Sequence, residues 1–316
     1  MSQQTILRIN DLHIIFDLGN SSVKAVDGVN FEILEGETIG IIGESGSGKS
    51  ILGLSILRLL PSNAKIKGET WFADKNLTYY SEEDMRKIRG KEIAWIPQNP
   101  SASFNPVLKI GFQIAEPMVL HMSLDKIQAR KKVVELLQLF GIQPAEERVD
   151  QYPYQYSGGM RQRAMVAMGT STKPKLLIAD EPTKGLDNFR KKQVAFMFRK
   201  VKDDNKDLSI LLITHDLSFA QALCDRIAVM YCGQIIEINL SEMFFKEPLH
   251  PYGKALLESL PARGMKSIPG EIPSMINPPS GCRFHPRCKE AMDKCKDMEP
   301  PLLKINGSMV RCWHYA

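Results

Sequence analysis

The chain has 316 residues and a formal net charge of +5 at pH 7, and its 24% charged and 43% hydrophobic residues are typical of a soluble globular protein. No dense stripe of Lys and Arg with interleaved aromatic residues is present, so we expect no nucleic-acid partner. No apolar run approaches the length of a membrane span and residues 1–4 do not begin a signal peptide, so we expect a cytoplasmic protein that reaches a membrane only through partners.

The first predicted elements surround a glycine-rich segment. Residues 5–42 are predicted to form short strands, with turn signals at residues 17–20 and 35–36. Residues 43–50 read Gly-Glu-Ser-Gly-Ser-Gly-Lys-Ser and lie between an apolar strand-like run at 38–42 and a helix-like run at 51–60, which Pro61 stops. A strand, a glycine-rich loop ending in Lys-Ser and a helix form the context of a phosphate-binding P-loop. The sequence therefore predicts binding of a nucleoside triphosphate.

Each residue type in this loop has a chemical role in binding a nucleotide. Glycines let backbone N–H groups point at phosphate oxygens, and the following helix adds the positive end of its dipole. Lys49 is predicted to reach the β- and γ-phosphates and the Ser50 hydroxyl to bind Mg²⁺. The predicted nucleotide-binding residues of this segment are Gly43, Ser45, Gly46, Ser47, Gly48, Lys49 and Ser50.

The middle of the chain alternates between strand-like and helical patterns. Residues 68–95 alternate strand-like and charged stretches, and residues 129–140 form an apolar helical pattern that ends at Gly141. Residues 175–180 and 209–214 are short apolar runs, as expected for strands buried on both faces of a parallel sheet. Strands that alternate with helices predict an α/β fold.

The composition changes near residue 246. Prolines punctuate the following tail, which has little periodicity. We therefore predict a main domain over residues 1–245, with a helical subdomain at roughly 100–168, and a small proline-rich module over residues 246–316. Because the tail lacks an extended apolar pattern, we expect something other than a large core to hold it together.

Two further segments suggest phosphate chemistry. Asp180 and Glu181 end an apolar strand, where Asp180 is placed to hold the Mg²⁺ shell and Glu181 to orient or deprotonate the attacking water. Ser157, Gly158 and Gly159 form a turn that opens a helix, which is a second possible anion site. Taken alone, the first segment is also typical of a simple strand-to-loop transition and the second of an ordinary N-cap.

Together, and in this order, these segments resemble the ATPase subunits of ABC transporters, over nearly the whole chain. The family fold is a P-loop ATPase domain with a mixed core sheet, an antiparallel β subdomain and a helical subdomain. By resemblance, Gln98 is the Q-loop glutamine, which contacts Mg²⁺ or the attacking water, and His215 is the switch histidine at the γ-phosphate. Asp187 is the D-loop aspartate, and Phe16 is a candidate for stacking on adenine, with a core position as its alternative.

The resemblance narrows to the dipeptide, oligopeptide and nickel import branch. It rests on residues 96–106, on the Ser-Gly-Gly-Met-Arg-Gln-Arg segment at 157–163, on His-Pro-Tyr at 250–252 and on residues 278–288. Met160 replaces the usual Gln of the superfamily, as is common in this branch. Lys184 and Gly185 depart from the branch pattern where two ATPase subunits are expected to meet, so coupling across that interface is expected to differ while catalysis is not.

Four cysteines crowd the C-terminal tail: Cys282, Cys288, Cys295 and Cys312. In a reducing compartment such a cluster favours metal binding over disulfides. A [4Fe–4S] cluster takes four thiolates, and the branch resemblance implies one. Structural zinc also accepts four thiolates, or a histidine in place of one, but the spacing is wider than in common zinc ribbons. Free thiols are the third alternative.

The resemblance implies an ATP-hydrolysing subunit, peripheral at the cytoplasmic face of the membrane, that powers import of di- or oligopeptides or of a related solute such as nickel. ATP and Mg²⁺ are the expected cofactors, with Glu181 as general base. The expected partners are a second, paralogous ATPase subunit, two membrane permeases and an external solute-binding protein. The alternatives are a soluble ABC ATPase of translation or DNA repair, disfavoured by the single P-loop, and an ATP-binding regulatory subunit with a redox-sensing cluster.

Overall fold

The computed structural model describes residues 4–316, except for the side chains of residues 100 and 101. Residues 1–3, part of the segment assessed for a signal peptide, lie outside the described residues. The chain divides into two compact units, which we call unit 1 (Met1–Tyr79 with Leu212–Ala316) and unit 2 (Tyr80–Leu211). No helix among residues 4–316 combines the length and hydropathy needed to cross a bilayer.

Strands and helices alternate along most of the described chain. The strands are β1 (Thr5–Asp17), β2 (Ser22–Leu34), β3 (Thr38–Ile42), β4 (Ala64–Phe72), β5 (Lys75–Asn76), β6 (Ile93–Ile96), β7 (Leu176–Asp180), β8 (Ser209–Thr214), β9 (Arg226–Tyr231), β10 (Gln234–Leu240), β11 (Leu303–Ile305) and β12 (Ser308–Val310). The α-helices are α1 (Lys49–Ile56), α2 (Glu82–Ile88), α3 (Pro100–Ser103), α4 (Ile110–Met122), α5 (Lys126–Leu139), α6 (Ala145–Arg148), α7 (Gly158–Thr170), α8 (Asn188–Asp204), α9 (Leu217–Leu223), α10 (Ser241–Lys246), α11 (Pro251–Glu258) and α12 (Lys294–Asp297).

Unit 1 contains an antiparallel sheet with the strand order β2-β1-β4-β5. In β1 the buried side chains include Leu7, Ile9, Leu12 and Ile14, while Arg8 is exposed. The alternation shifts between Ile9 and Leu12 because the pairing with β2 is irregular there. This sheet matches the predicted antiparallel subdomain.

A mixed set of strands forms the rest of the sheet structure of unit 1. β3 pairs in parallel with β9, β9 pairs antiparallel with β10, and β10 pairs antiparallel with β12. All five residues of β3 are buried, as its apolar sequence predicts. Because β12 joins β10 through Glu237↔Val310 and Ile238↔Met309, the end of the chain belongs to this unit.

Unit 2 combines parallel strands with the predicted helices. β6 and β7 are parallel, with Ile93 opposite Leu176. Helix α7 packs against α4, α5 and β6. The helix predicted at 129–140 is present as α5 and begins earlier, at Lys126, because Asp125 and Gln128 form a capping box there. It ends before Gly141, as predicted, since Gly141 takes a positive φ of 66°.

The helix after the glycine-rich loop is shorter than predicted. It covers Lys49–Ile56 rather than residues 51–60. Arg58 adopts a positive φ of 52°, and the Leu59 amide donates to the Leu54 carbonyl, so the chain leaves the helix well before Pro61. The proline therefore does not end the helix.

The proline-rich tail is irregular, as its composition suggests. No helix or strand is assigned within residues 264–284 of the described chain. The predicted division near residue 246 stays a prediction, as does the range of the helical subdomain.

Candidate nucleotide-binding site

Two glycines of the glycine-rich loop (residues 43–50) are required by its backbone. Gly43 has φ 151° and Gly48 has φ 103°, both in the region that favours glycine. A Cβ atom on Gly43 would lie 2.1 Å from the Met230 carbonyl oxygen, and one on Gly48 would lie 2.1 Å from that of Ala25. The loop can therefore curl tightly only because neither position carries a side chain.

Lys49 lies inside the curl of the loop. It is 6% exposed, and its Nζ donates to the carbonyl oxygens of Gly43 at 2.9 Å and Glu44 at 2.7 Å and to Ser47 Oγ at 3.2 Å. Helix α1 begins at this residue, so its first amide groups face the loop. A buried ammonium at a helix N-terminus makes this segment attractive to an anion.

The other predicted site residues of unit 1 lie at strand ends. Phe16 is the penultimate residue of β1 and half-buried, so it is not part of the fully buried core. His215 directly follows β8 and is exposed, while the next residue, Asp216, caps α9 by accepting from the Phe219 amide at 3.1 Å. The proposed contacts of Phe16 with adenine and of His215 with phosphate remain predictions.

In unit 2, the two predicted site carboxylates lie at the end of β7. Asp180 is its last residue and is 5% exposed; Glu181 follows and is 7% exposed. Glu181 has a positive φ of 47°, a conformation that costs a non-glycine residue about 1 kcal/mol or more. Such strain is often held at functional sites, which supports a functional reading of this position.

The signature segment begins helix α7. Ser157 Oγ accepts from the Met160 amide at 3.3 Å, so Ser157 is the N-cap as expected of its residue type. A Cβ atom on Gly158 would meet no atom within 4 Å, and one on Gly159 would meet only Arg190, at 4.0 Å. Packing within the described chain therefore gives no reason for these two glycines.

A cavity of about 370 Å³ in unit 2 brings several predicted residues together. It is lined by Gln98 and Gly158 and by both residues that depart from the branch pattern, Lys184 and Gly185. A neighbouring cavity of about 150 Å³ is lined by Ser157 and Gly159, among others. The signature turn thus borders open space and not a packed core.

Asp187 has a structural partner of its own. Its carboxylate accepts from the Arg190 amide at 2.9 Å as the N-cap of α8, and this bond lowers its pKa. The Arg190 guanidinium lies 3.3 Å from the same carboxylate. A capping role therefore accompanies the predicted D-loop role.

Comparison with known proteins identifies the family. The sequence profile described as ABC transporter matches residues 26–184, and the profile of the oligopeptide/dipeptide transporter C-terminal region matches residues 236–295. The chain belongs to the ABC transporter family. The prediction of an ABC transporter ATPase is confirmed by this membership, and the fold is the P-loop ABC ATPase fold with its mixed sheet, antiparallel sheet and helices.

The chain is similar to individual relatives over nearly all of its length. It is 46% identical over 319 residues to the oligopeptide transport ATP-binding protein AppD of Bacillus subtilis (strain 168), covering 98% of this chain and 97% of the relative. It is 40% identical over 318 residues to the dipeptide transport ATP-binding protein DppD of the same strain, covering 98% and 95%. The structure of the ATP-binding cassette MJ0796 bound to ADP and Pi matches with a TM-score of 0.67 at 23% identity, covering 75% of this chain and 99% of that chain.

The sequence patterns did not reveal two residues that bind the glycine-rich loop. Glu44, inside the loop, binds Arg287 and Tyr252 of the tail. A charged residue within a P-loop and an arginine beside a cysteine were visible in the sequence, but nothing in either pattern pairs them.

The four tail cysteines are neighbours but do not form a metal site as placed. All are free, and burial raises the pKa of Cys282 and of Cys288 to about 11, with charge on Cys295 and Cys312 contributing to the shift at Cys282. Among the described residues, no group of three or more His, Cys, Asp or Glu side chains is arranged to hold a metal ion. The predicted metal-binding character of the module is thus not confirmed.

Proposed function

We propose that this ATPase powers the import of oligopeptides or dipeptides through a membrane transporter. The observation that carries the proposal is the pair of matches that run through the tail: the peptide-transporter C-terminal profile and the relatives named for oligopeptide and dipeptide transport. Since these relatives match over nearly their whole length, the likeness is not limited to the ATPase motifs.

Within the nucleotide site, the roles follow the chemistry of each side chain. The amides of Gly43 and of residues 45–48 cradle the phosphates, Lys49 binds the β- and γ-phosphates, and Phe16 stacks on adenine. Mg²⁺, which prefers oxygen ligands and offsets phosphate charge, would be held by Ser50, Gln98 and Asp180. The buried position of Asp180 suits a carboxylate reserved for a cation.

For hydrolysis, we assign Glu181 the role of general base toward water and His215 a contact with the γ-phosphate. Glu181 is 7% exposed, so its side chain has little freedom to turn away. Fixed placement of a base is what lowers the entropy cost of attack by water.

A second ATPase subunit completes the site in this proposal. Ser157, Gly158 and Gly159 are offered to the nucleotide of the other subunit, and Asp187 lies at the same interface. The open space around both glycines supports this, because a missing side chain allows a backbone to approach a phosphate closely. We propose a paralogous subunit as this partner.

An apolar groove in unit 2 is the proposed docking site for a membrane permease. The groove has a volume of about 430 Å³ and includes Phe112, Val119 and Leu120. Phe112 is 52% exposed and Leu120 is 71% exposed, which is costly for large apolar side chains in water. Lys109 and Arg130 border the groove, and both pair with the carboxylate of Asp150, at 3.4 Å and 2.7 Å.

The full assembly in this proposal is two ATPase subunits, two permeases and an external solute-binding protein. Docking to the permeases would hold this chain at the cytoplasmic face of the membrane.

We also propose that Cys282, Cys288, Cys295 and Cys312 hold a [4Fe–4S] cluster, in preference to zinc. The charges of the other three cysteines act on Cys282, and Cys295 and Cys312 are buried, which supports a shared site. Because burial raises the pKa values of Cys282, Cys288 and Cys312, binding would require deprotonation and a rearrangement that lets the thiolates converge. Iron and sulfide should be found in anaerobically purified protein; stoichiometric zinc without either would contradict the cluster.

The function is tested with the assembled transporter in vesicles. ATP hydrolysis should be stimulated when the solute-binding protein is loaded with a di- or oligopeptide, and labelled peptide should enter. Glu181→Gln should retain ATP and abolish turnover, while the control Glu83→Gln, at an exposed helix position, should behave as wild type. Stimulation by nickel alone, or hydrolysis indifferent to any permease, would contradict peptide import.

A further inference from the structure

Arg287, in the cysteine-rich tail, binds the glycine-rich loop through Glu44. Its Nη1 donates to Glu44 Oε2 at 2.7 Å and its Nη2 to Glu44 Oε1 at 3.0 Å, a bidentate pairing. Its Nε donates to the Pro269 carbonyl at 2.9 Å, and Nη1 also reaches the Tyr231 hydroxyl at 3.2 Å. The Arg287 side chain is 3% exposed and that of Glu44 21%, so water screens this pair weakly.

Glu44 connects Arg287 to Lys49, the lysine predicted to bind phosphate. Its backbone amide donates to the Tyr252 hydroxyl at 3.0 Å, and its carbonyl oxygen accepts from Lys49 Nζ at 2.7 Å. The side chain, amide and carbonyl of one loop residue are therefore all bonded. A change in the position of Glu44 would therefore move one of the carbonyl oxygens that accept a hydrogen bond from Lys49.

The charge of Glu44 is unfavourable for the proposed ligand. A carboxylate within a loop that receives a triphosphate repels it, because both are anionic. A bidentate guanidinium offsets that charge where solvent cannot. Glu44 is thus compatible with nucleotide binding only while its cationic partner is in place.

The fold of the tail sets the position of this cation. The Arg287 amide donates to the Phe284 carbonyl at 3.0 Å, and Arg287 precedes Cys288. The Phe284 ring lies 5.3 Å from that of Tyr231 and 5.2 Å from that of Tyr252, centroid to centroid. Both tyrosines also touch the pair, so the same aromatic cluster supports the arginine and the loop.

We propose that Arg287 is a positioning residue for ATP binding, which neutralises Glu44 and fixes the loop around Lys49. The cysteine-rich segment then acts on the nucleotide site through one ion pair. This inference rests on the proposed nucleotide site in residues 43–50.

The test measures the dissociation constant of Mg²⁺-ATP for the full chain. Arg287→Met leaves the Glu44 charge uncompensated and should weaken binding roughly tenfold, equivalent to the loss of one charge-assisted interaction. Glu44→Gln should bind about as wild type. The double variant should recover most of the lost affinity, because the repulsive charge is gone.

Controls separate this role from simple support of the fold. Arg311→Met removes another largely buried arginine, which lies beside Cys312 and pairs with Glu299, and it should leave ATP affinity unchanged. The deficit of Arg287→Met relative to wild type should shrink as salt rises. If Arg287→Met does not fold, the neutral and polar Arg287→Gln, with and without Glu44→Gln, makes the same comparison.

Wild-type affinity in Arg287→Met, or a double variant as weak as Arg287→Met, would overturn the inference. Failure of the wild-type chain to bind ATP would instead overturn the proposed nucleotide site.

Discussion

Gln162 Nε2 donates a 2.6 Å hydrogen bond to the carbonyl oxygen of Pro182, and the bond is buried. Gln162 lies on α7, which begins at the signature turn, and Pro182 directly follows Glu181. One side chain thus links the signature helix to the loop that follows the proposed general base. A shift of this helix would therefore also displace that loop.

Gln162→Met is expected to break this link. The Pro182 carbonyl would lose the buried hydrogen bond from Gln162, which should lower the free energy of unfolding by about 1–3 kcal/mol. Turnover in the assembled complex should fall by more than ATP binding does. The measurements are chemical denaturation and ATPase assays. Gln138→Met, which alters an exposed bond to Glu146, is the control and should change neither value; equal effects of the two variants would contradict the link.

Gly158→Asp should separate stability from function. A Cβ atom at this position meets no atom within 4 Å, and an acidic residue suits the first turn of a helix, so the free energy of unfolding should be unchanged within about 0.5 kcal/mol. If the signature turn faces the nucleotide of a second subunit, the added charge should abolish ATP-dependent pairing, measured by light scattering with the Glu181→Gln background.

The contrasting variant is Gly48→Ala. Its φ of 103° and the close Ala25 carbonyl leave no room for a Cβ, so it should destabilise the loop by more than about 1 kcal/mol and lose ATP binding. Pairing that survives in Gly158→Asp would remove this turn from the proposed interface.

Phe112→Asp tests the permease groove. Phe112 is 52% exposed, so its replacement should leave the melting temperature and ATP affinity of the isolated chain almost unchanged. Co-purification with the permeases should be lost, because a charge would be buried in an apolar contact. Tyr79→Asp, at a residue 78% exposed in unit 1, is the matched control and should retain the permeases. Normal assembly of Phe112→Asp would place docking elsewhere.

His250→Asn is expected to flatten the acid limb of the stability profile. His250 is 1% exposed, and its Nδ1 accepts from the Tyr252 amide at 3.0 Å as the N-cap of α11, which only the neutral ring can do. Burial lowers its pKa to about 3. The unfolded chain therefore binds the extra proton first, and stability is lost as pH falls from about 6.5 towards 3.

Asparagine keeps the cap acceptor but does not titrate. The free energy of unfolding of His250→Asn should accordingly fall less steeply with acid than that of the wild type, by up to about 1.4 kcal/mol per pH unit within this window. Parallel profiles for the two proteins would show that His250 does not set the acid limb. Urea titrations at a series of pH values give the comparison.

The pattern of residue types within short segments predicted several strands and helix ends, because these elements depend mainly on neighbouring residues. The apolar run before Gly43 is a fully buried strand, and the turn at Ser157 caps a helix, as their residue types require. The predicted end of α1 at residue 60 was wrong. The chain leaves the helix before Pro61 because Arg58 has a positive φ, which the residue types around it did not predict. Glu181 was singled out by its neighbours in the chain, while its strained backbone became visible only in the fold.

The sequence by itself determined the glycine-rich loop, the order of motifs and the α/β arrangement, because each depends on residue type and spacing within short segments. Only the tertiary structure decided that Glu44 pairs with Arg287, 243 residues further along the chain, and that Gln162 reaches Pro182. It also decided that the tail cysteines, though neighbours, do not converge on a metal as placed. Contacts between distant segments depend on how the whole chain packs. The hydrophobic period and the turn residues of a short segment do not predict which distant side chains it will contact.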